Sequence, residues 1–198
     1  METMDSRIEV LRADIQQCRK CSLYETRHHA LVGNGAENAR IMLIGEAPGA
    51  EEDQQGIVFI GKAGQMLDKI LMACNFSRDK HLFITNIVRC RPPGNRPPKD
   101  EEIAACLPYL ERQIELINPS ILITLGATAL RSLAGGTSRI TRDRGKWQYY
   151  GTRLMMPTYH PAALLRNPGL KKETWEDFKE VIRKYREMAD PGHPCNYV

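Results

Sequence analysis

Four short, largely apolar runs set the frame of this chain. Residues 41–44, 82–88, 121–125 and 154–159 are largely apolar, interrupted only by Thr85, Asn86, Thr124 and Thr158, and glycine closes two of the runs directly, at Gly45 and Gly126. Runs of this length without alternation suit strands buried on both faces. Between them the spacing changes to that of helices. Ile8, Leu11 and Ile15 predict a helix over 5–17, and Met66, Leu67, Ile70 and Leu71 predict another over 63–74. Pro98-Lys99-Asp100-Glu101-Glu102 has the proline and acidic residues of a helix start, and Asn118-Pro119 stops that helix at about 117. A short helix over 127–133 and an amphipathic one over 173–188 complete the set. Residues 46–62, with three glycines and no clear period, read as a long loop, and 91–98, with four prolines, as a second. Residues 135–151 read as a polar, basic loop with an edge strand at 147–150.

Strands alternating with helices predict an α/β fold of three layers, α/β/α, around a central, mainly parallel four-stranded sheet. The expected organisation is one domain over 1–188 and a loose tail over 189–198. Ligands of such sheets bind beyond the carboxyl ends of the strands. The polar clusters of this chain begin at three such ends, at Gly45, Asn86 and His160.

Composition changes this picture little. A chain of 198 residues with 42% hydrophobic and 26% charged residues is ordinary for one globular domain, and a net charge of +4 is compatible with a polyanionic partner without requiring one. The N-terminus has no apolar signal segment, and no apolar run approaches the roughly 20 residues that span a bilayer. The expected location is the cytoplasm, without a membrane partner, where thiols stay reduced. The six cysteines then read as ligands or core thiols rather than disulfides. Cys18 and Cys21 form a C-x2-C pair, and Cys90 and Cys106 a C-x15-C pair. Four thiolates can hold a zinc ion or a four-iron cluster, and the spacing leaves both open beside four unrelated buried thiols. Cys74 falls on an apolar helix face and reads as core; Cys195 reads as a free thiol.

The strand-end clusters carry the candidate chemistry. Gly45-Glu46-Ala47-Pro48-Gly49 is a glycine-rich turn that can expose backbone N–H groups, followed by acidic Glu51-Glu52-Asp53. A simple turn or a phosphate loop are the other readings, although neither G-x-G-x-x-G nor a P-loop is present and the acidic run would repel phosphate. Phe59, between glycines, can stack on a flat ring or anchor the core. Asn86 offers both a donor and an acceptor to a base edge, or ends a strand as a turn residue. His160 is a catalytic candidate or a capping histidine. Arg139, Arg142, Arg144 and Lys146 form a basic loop, either phosphate-contacting or merely solvated.

Taken in order, GEAPGAEED at 45–53, GIVFIGKAGQML at 56–67, TNIVRCRPPGNRPP at 85–98 and YHPAALLRNP at 159–168, with cysteines at 18, 21, 90 and 106, resemble the family-4 uracil-DNA glycosylases, the iron–sulfur type. The resemblance covers roughly residues 10–185. It implies the uracil-DNA glycosylase fold, a 4Fe-4S cluster on Cys18, Cys21, Cys90 and Cys106, and uracil-containing DNA, single- or double-stranded, as the partner of a monomer. The implied activity is hydrolysis of the N-glycosidic bond of uracil in base excision repair. The alternative is a uracil-DNA binding protein of the same superfamily that captures its ligand through a histidine in an inserted basic loop. The corresponding loop here, 91–98, has neither histidine nor insertion, which favours turnover.

The resemblance also implies a division of labour. Gly45, Glu46 and Ala47 border the substrate, and Glu46 orients or activates the attacking water, with Asp53 as a second candidate. Phe59 stacks on a flipped uracil, Asn86 reads its polar edge, and Glu52 crowds the C5 face and excludes the thymine methyl. His160 stabilises the departing uracil anion.

Overall fold

A computed structural model describes residues 4–198. Its core is one mixed sheet of six strands in the order β1-β3-β2-β4-β6-β5. The four central strands are β3 (Leu82–Asn86), β2 (Ile41–Gly45), β4 (Ile121–Leu125) and β6 (Arg153–Thr158), all mutually parallel. The short edges β1 (Asn34–Gly35) and β5 (Gln148–Tyr150) pair antiparallel to β3 and β6. The four-stranded parallel core matches expectation. β5 lies where an edge strand was predicted, and β1, only two residues long, adds a strand that the hydrophobic pattern does not mark.

Every residue of β2, β3 and β4 is buried, because helices cover both faces. Side chains of a strand alternate between faces, and the core divides accordingly. Met42, Ile44, Phe83, Leu122 and Met155 pack with α1 (Met4–Gln16) and α5 (Asp100–Ile117). Ile41, Leu43, Leu82, Ile84, Ile121, Ile123 and Met156 pack on the opposite face with α3 (Lys62–Ala73) and α9 (Leu170–Met188). Helix α5 starts with a capping box, in which the buried Glu102 carboxylate accepts from Lys99 N at 2.7 Å and from the Arg96 guanidinium at 2.6 Å.

Several short helices go beyond the sequence reading. The stretch 46–62, expected to be a loop, contains α2 (Ala50–Gln55), which has Glu51, Glu52 and Asp53 in its first turn, where the helix dipole favours acids. Three more are α4 (Arg78–His81), α7 (Ile140–Asp143) and α8 (Pro161–Arg166), while α6 (Ala127–Ala134) was anticipated.

The tail is the main structural correction. Residues 189–198, expected to be loose, fold back onto α3 and α9. His193 is 2% exposed, stacks on Phe76 with ring centroids 4.5 Å apart, and its Nε2 donates to the Cys74 carbonyl at 2.9 Å. Arg186 of α9 donates to the carbonyls of His193, Cys195 and Val198. One apolar-faced imidazole and a satisfied set of carbonyls hold a segment whose composition alone looks like a linker. Cys74 is fully buried, as expected, and burial pushes its thiol up to about 12. Among the described residues no helix is long and apolar enough to cross a membrane.

Candidate active site and cysteine hollow

The parallel register brings the strand-end residues level. Gly45 of β2 pairs with Asn86 of β3, and β4 and β6 end beside them, so the chain leaves all four strands on the same rim of the sheet. There a cleft of about 610 Å³ opens, bordered by Glu46, Glu52, Phe59, Asn86 and His160 among others. Ala47 lines it as well, whereas Gly45 stands behind it. A Cβ at Gly45 would come 2.4 Å from Asn86 Oδ1 and 2.5 Å from Phe59 Cζ. Only glycine leaves those two side chains room to lie side by side.

Phe59 sits in the left-handed region at φ +54°, which costs a non-glycine residue about 1–3 kcal/mol. The surroundings impose it. Arg78 donates to the carbonyls of Val58 (3.2 Å) and Phe59 (2.7 Å), and Gly64 of α3 lies so close that a Cβ there would stand 1.9 Å from Phe59 O. The ring is thereby fixed with its centroid 5.7 Å from that of His160, tilted by 33°.

Asn86 is 2% exposed, and its buried Oδ1 has no hydrogen-bond partner. An unmade hydrogen bond on a buried amide oxygen costs about 1–3 kcal/mol, so this atom awaits a donor. Glu52 is pinned: Oε1 accepts from the backbone N–H of Ile60 (3.0 Å) and Gly61 (2.9 Å), which makes its carboxylate a rigid wall of the cleft.

His160 caps α8. Ala162 N–H donates to its Nδ1 at 3.1 Å. A backbone N–H can only donate, so Nδ1 is the bare nitrogen and the ring proton resides on Nε2. Burial, reinforced by the charge of Arg166 and opposed by Glu52, draws the ring down to about 4, so it is neutral at pH 7. Gly126 leaves room for this ring: its φ is +91°, and a Cβ there would come 3.0 Å from His160 Cβ.

Glu46 accepts a hydrogen bond at Oε2 from the Thr128 hydroxyl at the start of α6. Thr128, Arg166, Gly126 and Tyr159 belong to the surroundings of the site and were missed by sequence reasoning. A threonine in the first turn of a helix that follows a strand-ending glycine was the one available signal.

Asp53 does not join them. It is 1% exposed and accepts from the backbone N–H groups of His28 (3.0 Å) and His29 (3.2 Å) and from His28 Nδ1 (2.9 Å). Burial raises its carboxyl, but the hydrogen bonds from His28 and His29 outweigh that and hold it below the usual range. Successive residues of a helix point about 100° apart, so Glu52 faces the cleft while Asp53 faces the 28–29 segment. Asp53 therefore lies away from the cleft, contrary to its expected place as a second candidate for activating water. The basic loop is also less free than its composition suggests. Arg144 binds Asp177, with Nε 3.0 Å from Oδ2, and Arg142 binds Asp143 at 2.7 Å.

The four cysteines 18, 21, 90 and 106 border one small hollow together with Tyr24, Arg27 and Arg89. Arg27 donates to Cys90 Sγ at 3.1 Å and the Arg89 backbone N–H to Cys106 Sγ at 3.3 Å. Burial pushes the Cys90 thiol up to about 11 against the pull of Arg27, and Cys21 and Cys106 are likewise raised by burial. Among the described residues, no three His, Cys, Asp or Glu side chains are grouped to hold a single metal ion.

Fold and cleft together describe an α/β protein whose strand ends bring a carboxylate, an aromatic ring, a buried amide and an imidazole to one cleft. A family model described as the uracil DNA glycosylase superfamily matches residues 32–179. Among curated proteins, a type-4 uracil-DNA glycosylase of Sulfurisphaera tokodaii is 43% identical over 194 residues, 94% of this chain and 86% of that protein. One of Saccharolobus solfataricus is 42% identical over 182 residues, 88% of this chain and 84% of its own length. One of Thermotoga maritima is 39% identical over 185 residues, 91% and 96% of the respective chains. The chain belongs to the uracil-DNA glycosylase superfamily, in its type-4 family.

Proposed function

We propose that the protein excises uracil from DNA as a monofunctional glycosylase, hydrolysing the bond between uracil N1 and deoxyribose C1′ to leave an abasic site. The observation that carries this reading is a single cleft on which Glu46, Phe59, Asn86 and His160 converge from four separate segments, with an unpartnered buried acceptor on Asn86.

A base inside a stacked duplex cannot reach such a cleft, so the target nucleotide must be extruded. Phe59 stacks on the ring. Asn86 Oδ1 accepts from uracil N3–H, and its amide N–H donates to O4. Cytosine reverses both groups, and a site built on such hydrogen bonds rejects the mismatched ligand by roughly 10,000-fold. The pinned carboxylate of Glu52 stands against C5 and leaves no space for a methyl group.

As the glycosidic bond breaks, electrons pass to the uracil ring and the sugar becomes oxocarbenium-like. His160, neutral and carrying its proton on Nε2, donates a hydrogen bond to the developing uracil anion. Glu46, held through Oε2 by Thr128, keeps its other oxygen for the water that attacks C1′.

Cys18, Cys21, Cys90 and Cys106 suit a 4Fe-4S cluster. The hollow they border is shared with buried, cationic Arg89, which an anionic cluster would neutralise. Such a cluster supplies a structural tie, joining the first helix, the end of β3 and the start of α5; no redox step enters the hydrolysis.

Matched oligonucleotides carrying uracil, thymine, cytosine or hypoxanthine, treated with alkali and run on a denaturing gel, test the activity. Cut product from uracil DNA at many turnovers supports it. A shifted covalent band without turnover points to the capture protein instead, and neither signal refutes both.

A further inference from the structure

Arg89 is the most deeply buried cation of the described chain, at 2% exposure, and it stands one residue before Cys90. Its guanidinium bonds only neutral groups: Nη1 donates to the Thr85 hydroxyl and Nη2 to Gln113 Oε1 at 2.7 Å, while Nε is buried without a partner. Among the described residues no carboxylate forms an ion pair with it, and the ionisable groups that act on it are the Cys106 and Cys90 thiols. A lone buried charge is strongly destabilising unless an opposite charge lies close by. Neutral thiols provide none. Four thiolates around an iron–sulfur core carry net negative charge and do.

We infer that Arg89 is the internal counter-ion of the group held by the four cysteines and a positioning residue that links this group to the base-reading strand. The link is continuous. The Arg89 backbone N–H holds Cys106 Sγ, and its side chain grips Thr85, the neighbour of Asn86 in β3. Gln113 of α5 ties the same knot to the Val32 carbonyl at 2.6 Å. An occupied hollow thus fixes the guanidinium, and the guanidinium fixes the strand end that presents Asn86 to the cleft. The inference rests on the cluster reading above; it assigns Arg89 no contact with substrate.

The test compares R89Q, neutral and of similar shape, with R89K, which keeps the charge without the fork. Both are purified anaerobically with the cluster in place. Midpoint potential, rate of cluster loss to a chelator, and amide exchange of residues 82–86 are then measured. A nearby cation stabilises the more reduced, more negative cluster, so R89Q shifts the potential to more negative values. R89Q also loses the cluster roughly 10- to 100-fold faster, as for other groups that support metal ligands, and exchange over 82–86 rises. R89K keeps a potential near that of the parent. If R89Q retains the parent potential, cluster lifetime and exchange, the inference is overturned. Should R89Q fail to accumulate folded, R89K decides: a parent-like potential supports the counter-ion role, and a cluster lost as fast as from a cysteine variant overturns it. A parent protein that contains no iron or sulfide defeats the cluster reading itself, a result distinct from any behaviour of Arg89.

Discussion

Replacing His160 with asparagine separates two jobs that the structure gives one side chain. The imidazole accepts from Ala162 N–H through Nδ1 and so caps α8, while Nε2–H remains for the substrate. Asparagine is among the best capping residues, so the helix start survives. Even an alanine, which removes the cap, costs only about 1 kcal/mol, a drop of roughly 2–4 °C for a chain of this size. The shorter amide does not reach where Nε2–H points, and loss of one donor to a developing anion costs about 100- to 1,000-fold in rate. Single-turnover excision from a uracil oligonucleotide, followed on denaturing gels beside thermal unfolding of the same samples, is therefore expected to show H160N unfolding near the parent temperature while excising at least about 100-fold more slowly. Excision by H160N within threefold of the parent would refute the reasoning, because the donor would then be dispensable.

The other expectations follow from the same geometry. Because the His160 ring titrates at about 4 in the folded protein, below its ordinary value of 6.5, excision should show no loss of activity from its protonation near 6.5. The unfolded chain binds that proton first, so this histidine's contribution to stability is complete above pH 6.5 and falls away as the pH drops toward 4; a urea-midpoint series across that range checks the sign. T128V should lower kcat by about tenfold with little change in KM, and T128S should restore it, since only the hydroxyl orients Glu46; equal damage by both variants would point to packing instead. G45A should abolish excision at nearly unchanged folding yield, because its methyl competes for the space of Asn86 and Phe59; near-parent activity would contradict the contacts described. D53N should excise within a few-fold of the parent yet lose about 1–3 kcal/mol of stability, having broken the hold on His28 and His29. A D53N protein of full stability and no activity would return that carboxylate to the chemistry.

The parallel core was readable because strands covered on both faces must be largely apolar without alternation, which is how 41–44 and, but for Thr124, 121–125 are written. The convergence of Glu46, Asn86 and His160 followed from the same fact, since each comes at or just after a strand end. The helix α2 escaped because six residues with three acids have no apolar period; it is formed by its position after Gly49 and not by a buried stripe. Missing it hid the different facings of Glu52 and Asp53, which adjacent letters in a sequence do not reveal. Thr128 could not be assigned to Glu46 without knowing how α6 lies against β2. The tail looked loose because polar and small residues surround His193, and its anchor, the stack on Phe76, is a contact between residues more than a hundred positions apart.

A crystal structure of the protein with uracil, or with the abasic product and free uracil retained, tests the central claim most directly. The account predicts the ring flat against Phe59, N3–H on Asn86 Oδ1, C5 toward Glu52, and the O2 edge on His160 Nε2. Uracil bound elsewhere, or seated in the cleft with Asn86 Oδ1 still unpaired, would contradict it.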